Sequence, residues 1–203
     1  MGERWVPLLE GDVDPDPLVQ FGRWFDDAGR VVASPEAMAV ASVGADGRPS
    51  VRMVLLKAWG PDGFVFHTNY GGRKGRELAA RPYAALLFFW EPLGRQIRLE
   101  GSVERTTDEE SDAYFATRPR GGQIGAHVSD QSAVIDSRAR LDERVRQVEA
   151  EFAGRPVPRP AGWGGLRVRP DSYEFWQNRD DRLHDRLLYS PGPGGWRIER
   201  LQP

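Results

Sequence analysis

The sequence contains no cysteine, which excludes a disulfide scaffold, a thiolate metal site and a cysteine nucleophile. Histidine is scarce: His67, His127 and His184 are the full set. No two of them stand at metal-ligand spacing, so no metal site is expected. No apolar run approaches the ~18 residues of a membrane span. The opening MGERWVPLLEGDVDPDP holds no apolar stretch of signal-peptide length, so the expectation is a cytoplasmic chain without a membrane partner. Neither sign of charge dominates, with 28 Lys and Arg against 30 Asp and Glu. A general nucleic-acid binder is usually strongly basic, so nucleic acid is not an expected partner. A Gly-x-Ser-x-Gly elbow is also missing, which argues against an α/β-hydrolase. What remains is a 203-residue chain, 39% hydrophobic, with 7 Trp and 9 Phe. That is enough apolar material for the core of one domain.

The periodicities predict a mainly β fold with peripheral helices. Residues 1–15 are acidic and Pro-rich and read as a flexible N-terminal segment before a single domain over 16–203. Asp16-Pro17 reads as a helix start, a capping aspartate followed by proline at the first helical position. Leu18, Phe21, Trp24 and Phe25 then share one helical face. AMAVASV, a turn at Asp46-Gly47 and VRMVLLKAW read as a hairpin. FVFHTN is a strand, and a short helix follows from about Arg73 to Ala80. YAALLFFW and RQIRLEGSVER are two more strands. Thr107 and Glu110 fit a capping box opening a helix with Tyr114 and Phe115. RPRGGQIGAHVSDQS is polar and Gly-rich and reads as a loop. A charged helix is predicted near 137–152, followed by the strands LRVRP, SYEFWQ, RLHDRLLY and WRIERLQP. Many short antiparallel strands with helices outside suggest a small β-barrel.

Four segments could carry chemistry. If RLHDR is a strand, Arg182, His184 and Arg186 share one face, a cationic surface for an anionic planar ligand. The plain alternative is a solvated edge strand. In RMVLLK both faces are apolar, which predicts burial on both sides and holds Arg52 and Lys57 near the core. In GGRKGR, glycines precede Arg73 and Lys74 at a helix start, where cations and free N–H groups form an anion site. The spacing is not that of a nucleotide-hydrolysing loop. Tyr114 and Arg118, four apart, share a face if the helix runs that far, and both can donate to one phosphate. Packing of Tyr114 in the core is the competing reading. The tryptophans, Trp163 and Trp176 among them, read as core.

Together these segments resemble the pyridoxamine 5'-phosphate oxidase family. The matching stretches are RMVLLK (52–57), the HTN after it, RKGREL (73–78), LLFFW (86–90), RQIRLEG (95–101), YFATRPR (114–120), QIGAHVSDQS (123–132), WGGLRV (163–168), EFWQ (174–177), RLHDRLLY (182–189) and the WRIERLQP ending. The likeness runs from about residue 16 to the C-terminus. It implies an FMN-binding split β-barrel and a homodimer with two FMN sites at the subunit interface. The implied cofactor contacts are Arg52, Met53, Val54, Leu55, Lys57, His67, Thr68, Arg73, Lys74, Gln96, Gln131, Ser132, Trp176 and Arg186. The implied substrate contacts are Lys57, Tyr114, Arg118, Arg182, Leu183 and His184, with Arg182 and His184 as the catalytic pair.

The implied reaction is oxidation of pyridoxamine or pyridoxine 5'-phosphate to pyridoxal 5'-phosphate, with oxygen as acceptor and hydrogen peroxide as by-product. Two phosphate-bearing ligands call for two cationic sites, and the sequence offers two such sets. Three positions depart from the family's pattern: Gly122 where a serine is usual, His67 where a tyrosine is frequent, and an acidic rather than basic N-terminal stretch. The alternatives are a flavin oxidase of the same fold acting on another aromatic substrate, as in the phenazine pathway, a non-catalytic flavin-binding protein, and a deazaflavin-using reductase.

Overall fold

The computed structural model describes residues 5–203. Of the 1–15 segment, residues 1–4 lie outside the described residues. Helix α1 (Pro17–Gly29) starts where Asp16 accepts from the Leu18 N–H. The strands are β1 (Ala37–Val43), β2 (Pro49–Leu55), β3 (Ala58–Gly60), β4 (Gly63–Asn69), β5 (Tyr83–Trp90), β6 (Arg95–Arg105), β7 (Trp163–Gln177), β8 (Asp185–Gly192) and β9 (Gly195–Arg200). The other helices are α2 (Arg73–Ala80), α3 (Asp108–Thr117), α4 (Arg120–Val128) and α5 (Arg138–Glu151).

All strand pairs are antiparallel, in the order β2-β1-β5-β6-β7-β4-β3. One edge of β7 pairs with β6 from Leu166 to Gln177. Its other edge is shared: Trp163–Val168 pairs with β4, and Tyr173–Gln177 pairs with β8. A register shift at Glu100/Gly101 bends the sheet between these halves, and this division of β7 splits the barrel. Helix α1 plugs the curled sheet. Phe21, fully buried, meets Phe64 and Phe88 edge-on at 4.8 and 5.3 Å. A second cluster holds α3, α4 and α5 together through Phe115, Ile124, Val128, Phe152 and Trp163. Residues 8–14 lie along β8 and β9: Leu8 N–H donates to Asp185, and Glu10 pairs with Arg200 at 2.8 Å.

Most predicted elements are present; LRVRP and SYEFWQ, predicted as two strands, are one continuous strand, β7, and three further segments differ. The Gly-rich stretch after Pro119 is helix α4, not a loop. Ile124 and Val128, four apart, both bury in the second cluster, so packing outweighs the low helix propensity of glycine. RMVLLKAW is not one strand and is not buried on both faces. The chain leaves β2 at Leu56–Lys57 and crosses to pair with β4 through β3. Strand β2 ends the sheet, so Val51, Met53 and Leu55 stay exposed. RLHDRLLY becomes a strand only from Asp185. Arg182 sits before it at φ 65°, in the left-handed region, so the strand alternation that put it on one face with His184 and Arg186 does not hold.

Candidate functional site

The expected site residues fall into three groups. The first surrounds the N-terminus of α2. Gly72 caps this helix without a side chain, and the Arg73 N–H donates to Ser132 Oγ at 3.1 Å. Lys74 Nζ donates to Thr68 Oγ1 at 3.0 Å and to Gln131 Oε1 at 2.7 Å. Burial first, then the Arg52 charge, holds the Lys74 pKa below its ordinary value. Ser132 takes φ 73°, a strained conformation for a non-glycine residue. A cleft of about 330 Å³, lined by Asn69, Gly71, Arg76, Asp130, Gln131, Ser132 and Ala133, opens beside it. Hydroxyls, cations and a helix N-terminus whose N-cap residue has no side chain converge there, a donor set that fits the phosphate end of a flavin nucleotide.

This group rests on a residue that sequence reasoning missed. Glu77 of α2 is nearly covered. It accepts from Ser42 at 2.6 Å and from Ser50, and it pairs with Arg73 at 2.8 Å and Arg52 at 3.2 Å. Burial pushes its pKa up, but the hydrogen bonds from Ser42, Ser50, Arg73 and Arg52 outweigh that and hold it at about 2. A signal was available. The Asp46-Gly47 turn sets Ser42 opposite Ser50, and Ser42 breaks the buried apolar alternation of β1. Met53 and Leu55 of β2 point to solvent in a single chain, while Val54 packs partly against the core.

The second group is built on aromatic rings. His67, at the end of β4, stacks on Tyr114 at 3.9 Å and lies 5.2 Å from the Trp163 ring. Arg118 caps the end of α3, and its guanidinium lies 4.6 Å over Trp163. Trp163 belongs to the second core cluster, as expected, and also forms the floor of this group. Lys57, on the β2–β3 crossover, is exposed rather than held near the core, and its charge still acts on His67. Burial first, then Arg118 and Lys57, pushes the His67 pKa down to about 4, so the ring is neutral near pH 7. His67 Nδ1 and Arg118 Nη1 are buried without a hydrogen-bond partner. Gly122, in α4, would bring a Cβ to 3.3 Å from Arg118 Nη2.

The third group lies at the other end of β7. Gln96, Trp176 and Arg186 are in register across β6, β7 and β8. Glu174, buried, fixes Arg186 at 2.7 Å and Arg98 at 2.6 Å, and its hydrogen bond raises the Arg186 pKa. The His184 ring lies 4.5 Å from Trp176, and its Nδ1 accepts from the Arg179 N–H at 3.2 Å. Arg182 and Leu183 are exposed in the preceding turn.

Within one chain the first two groups adjoin, and the third stands apart. Gly164, the β4 partner of Thr68, and Trp176 are twelve residues apart on β7, a contour of about 40 Å at ~3.3 Å per residue. A ligand touching all three groups would need one end of β7 from each of two copies.

The comparisons with known proteins show the family. A family model described as pyridoxamine 5'-phosphate oxidase matches residues 26–152, and one described as the pyridoxine 5'-phosphate oxidase C-terminal dimerisation region matches 163–203. The chain is 58% identical to a pyridoxine/pyridoxamine 5'-phosphate oxidase of Rubrobacter xylanophilus, over 97% of this chain and 91% of that one. The corresponding protein of Burkholderia multivorans is 56% identical over 97% of this chain and 93% of its own. Among solved structures, PhzG from Burkholderia lata 383, crystallised with tetrahydrophenazine-1-carboxylic acid, has a TM-score of 0.90 at 31% identity and covers 98% of this chain and 99% of its own. An FMN-binding protein from Nostoc punctiforme shares the fold alone, with a TM-score of 0.71 at 15% identity over 93% of this chain and 98% of its own.

Proposed function

Since the chain belongs to the pyridoxamine 5'-phosphate oxidase family and is an oxidoreductase of that type, we propose that it oxidises pyridoxamine or pyridoxine 5'-phosphate to pyridoxal 5'-phosphate, with FMN as cofactor and oxygen as acceptor. FMN held at this site would supply the two-electron oxidation chemistry, with oxygen as the final acceptor and hydrogen peroxide as the by-product. The observation that carries this reading is the pairing of two cationic clusters side by side. Arg52, Thr68, Arg73, Lys74, Gln131 and Ser132 would hold the FMN phosphate. Lys57, Tyr114 and Arg118 would hold the substrate phosphate, with Arg118 braced on Trp163.

The rest of the work is orientation, and it draws on the second copy. Arg182 and His184 of the partner would lie against the B6 ring, with Leu183 beside it. Gln96, Trp176 and Arg186 would face the flavin. The match to a dimerisation region over 163–203, which contains Trp176, Arg182, His184 and Arg186, supports a homodimer with composite sites. Positioning is what this site contributes, because hydride transfer to a flavin needs alignment more than acid–base help.

The test is direct. Purified yellow protein given pyridoxine 5'-phosphate in air is expected to consume oxygen and accumulate the absorbance of the aldehyde product. Bound FMN without turnover would sink the proposal. It would favour the second reading, a flavin oxidase of another aromatic acid, which the whole-chain likeness to PhzG supports.

A further inference from the structure

His67, among the cofactor contacts the family resemblance implies, packs its ring on the substrate-phosphate candidate Tyr114 at 3.9 Å. Its ring lies nearly parallel to Tyr114, 18° apart, and to Trp163, 15° apart. Gly165 would bring a Cβ to 3.2 Å from its Nε2, so the backbone itself closes that side. The imidazole is thus set in place by neighbours on α3 and β7, yet Nδ1 has no protein partner, and neither does Arg118 Nη1. Two buried polar atoms left open in one cluster are unusual, because each forfeits the hydrogen bonds it would make to water.

We propose that His67 recognises the phosphate ester itself, donating to an oxygen of the same group that Lys57 and Arg118 neutralise. This rests on the functional reading above and deepens it, adding a fourth side chain to the phosphate site. The charged and titratable groups facing the ring are Lys57 from the β2–β3 crossover, Arg118 at the end of α3, and Glu110 and Tyr114 from α3 itself. In the free chain the two cations, added to burial, keep the ring unprotonated, and Glu110 opposes them only in part. A phosphate placed between the cations offsets their effect, so ester binding favours the protonated ring against the burial that opposes it. The His67 contribution to affinity therefore grows as pH falls from alkaline values towards 6.

The experiment separates this role from both flavin binding and packing. The FMN-loaded protein is titrated with phenyl phosphate, which carries the phosphate monoester without the B6 ring, at pH 6.0 and pH 8.5. For His67→Phe, which keeps a flat ring and loses both nitrogens, phenyl phosphate affinity is expected to fall roughly tenfold at pH 6.0, the size of one charge-assisted hydrogen bond, and less at pH 8.5. FMN affinity, read by flavin fluorescence, is expected to stay the same. His67→Gln, which keeps a donor but cannot titrate, is expected to keep only the pH dependence of the ligand's own second ionisation near pH ~6 and to lose most of the advantage wild type holds over His67→Phe at pH 6.0. Wild-type phenyl phosphate affinity in either variant at pH 6.0 would overturn the proposal. So would a loss of FMN affinity with phosphate binding untouched. If wild type fails to oxidise pyridoxine 5'-phosphate while phenyl phosphate binding still depends on His67, the functional reading falls and the phosphate role of His67 stands.

Discussion

At the scale of single residues, the site is organised by buried carboxylates that hold arginines. Glu77 holds Arg52 and Arg73, and Glu174 holds Arg98 and Arg186. Removing one partner of such a buried set leaves the other charge uncompensated. Glu77→Ala is expected to lower stability by about 3 kcal/mol, read as a fall in the urea midpoint, and to weaken FMN binding through the displaced arginines. Arg182 is the opposite case: exposed, and on a left-handed turn. Arg182→Ala is expected to leave flavin content unchanged while kcat/KM falls at least tenfold, the scale of a lost hydrogen bond to a charged group. Loss of the flavin absorbance in that variant would show that Arg182 serves the cofactor instead.

At the scale of elements, the short helices do the positioning. α2 presents its N-terminus to the first group. The capping box of α3, with Thr107 and Glu110 in reciprocal hydrogen bonds, starts the helix that delivers Tyr114 and Arg118. α4 carries two glycines in its first turn and depends on Ile124 and Val128 to stay helical. Gly121 has open space where a Cβ would be built. Gly121→Ala is therefore expected to stabilise the protein by about 0.5–1 kcal/mol, raising Tm by roughly 1–4 °C with turnover unchanged. A drop in Tm would mean that α4 does not keep the helical conformation of the structure.

At the scale of the whole molecule, the separation of the groups along β7 makes the proposed site a property of two chains. Arg118→Ala and Arg182→Ala remove contacts at opposite ends of β7, so each alone is expected to be nearly inactive. In a symmetric dimer, an equal mixture unfolded and refolded together is expected to regain about a quarter of wild-type activity, since half the dimers carry one intact site. No recovery would place both residues in one chain's site. Acid sensitivity is also a whole-molecule property. His67 is held at about 4 and Glu77 at about 2, both below their unfolded values of 6.5 and 4.5. The unfolded chain therefore binds more protons, and stability falls with pH. The His67 share is complete above about 6.5 and lost towards 4, and the Glu77 share is lost between about 4.5 and 2. The urea midpoint is expected to drop between pH 7 and pH 4, and less so in His67→Phe.

The chain's own order of residues determined the mainly β class, the α1 start at Asp16-Pro17, the capping box of α3 and the strands that carry Thr68, Gln96 and Trp176. These follow from local rules: alternation of two, helical spacing, and side chains that satisfy the backbone a few residues away. Tertiary structure decided the rest. It made α4 a helix, because Ile124 and Val128 gain a partner surface that no local window contains. It broke RMVLLKAW at Lys57, because β2 and β3 pair with different strands. It took Arg182 out of the strand begun at Asp185 and gave the RLHDR segment its place by the Trp176 ring through His184. It also joined Ser42, Ser50 and Arg52 to Glu77, residues up to 35 positions apart whose meeting depends on how the sheet folds back against α2.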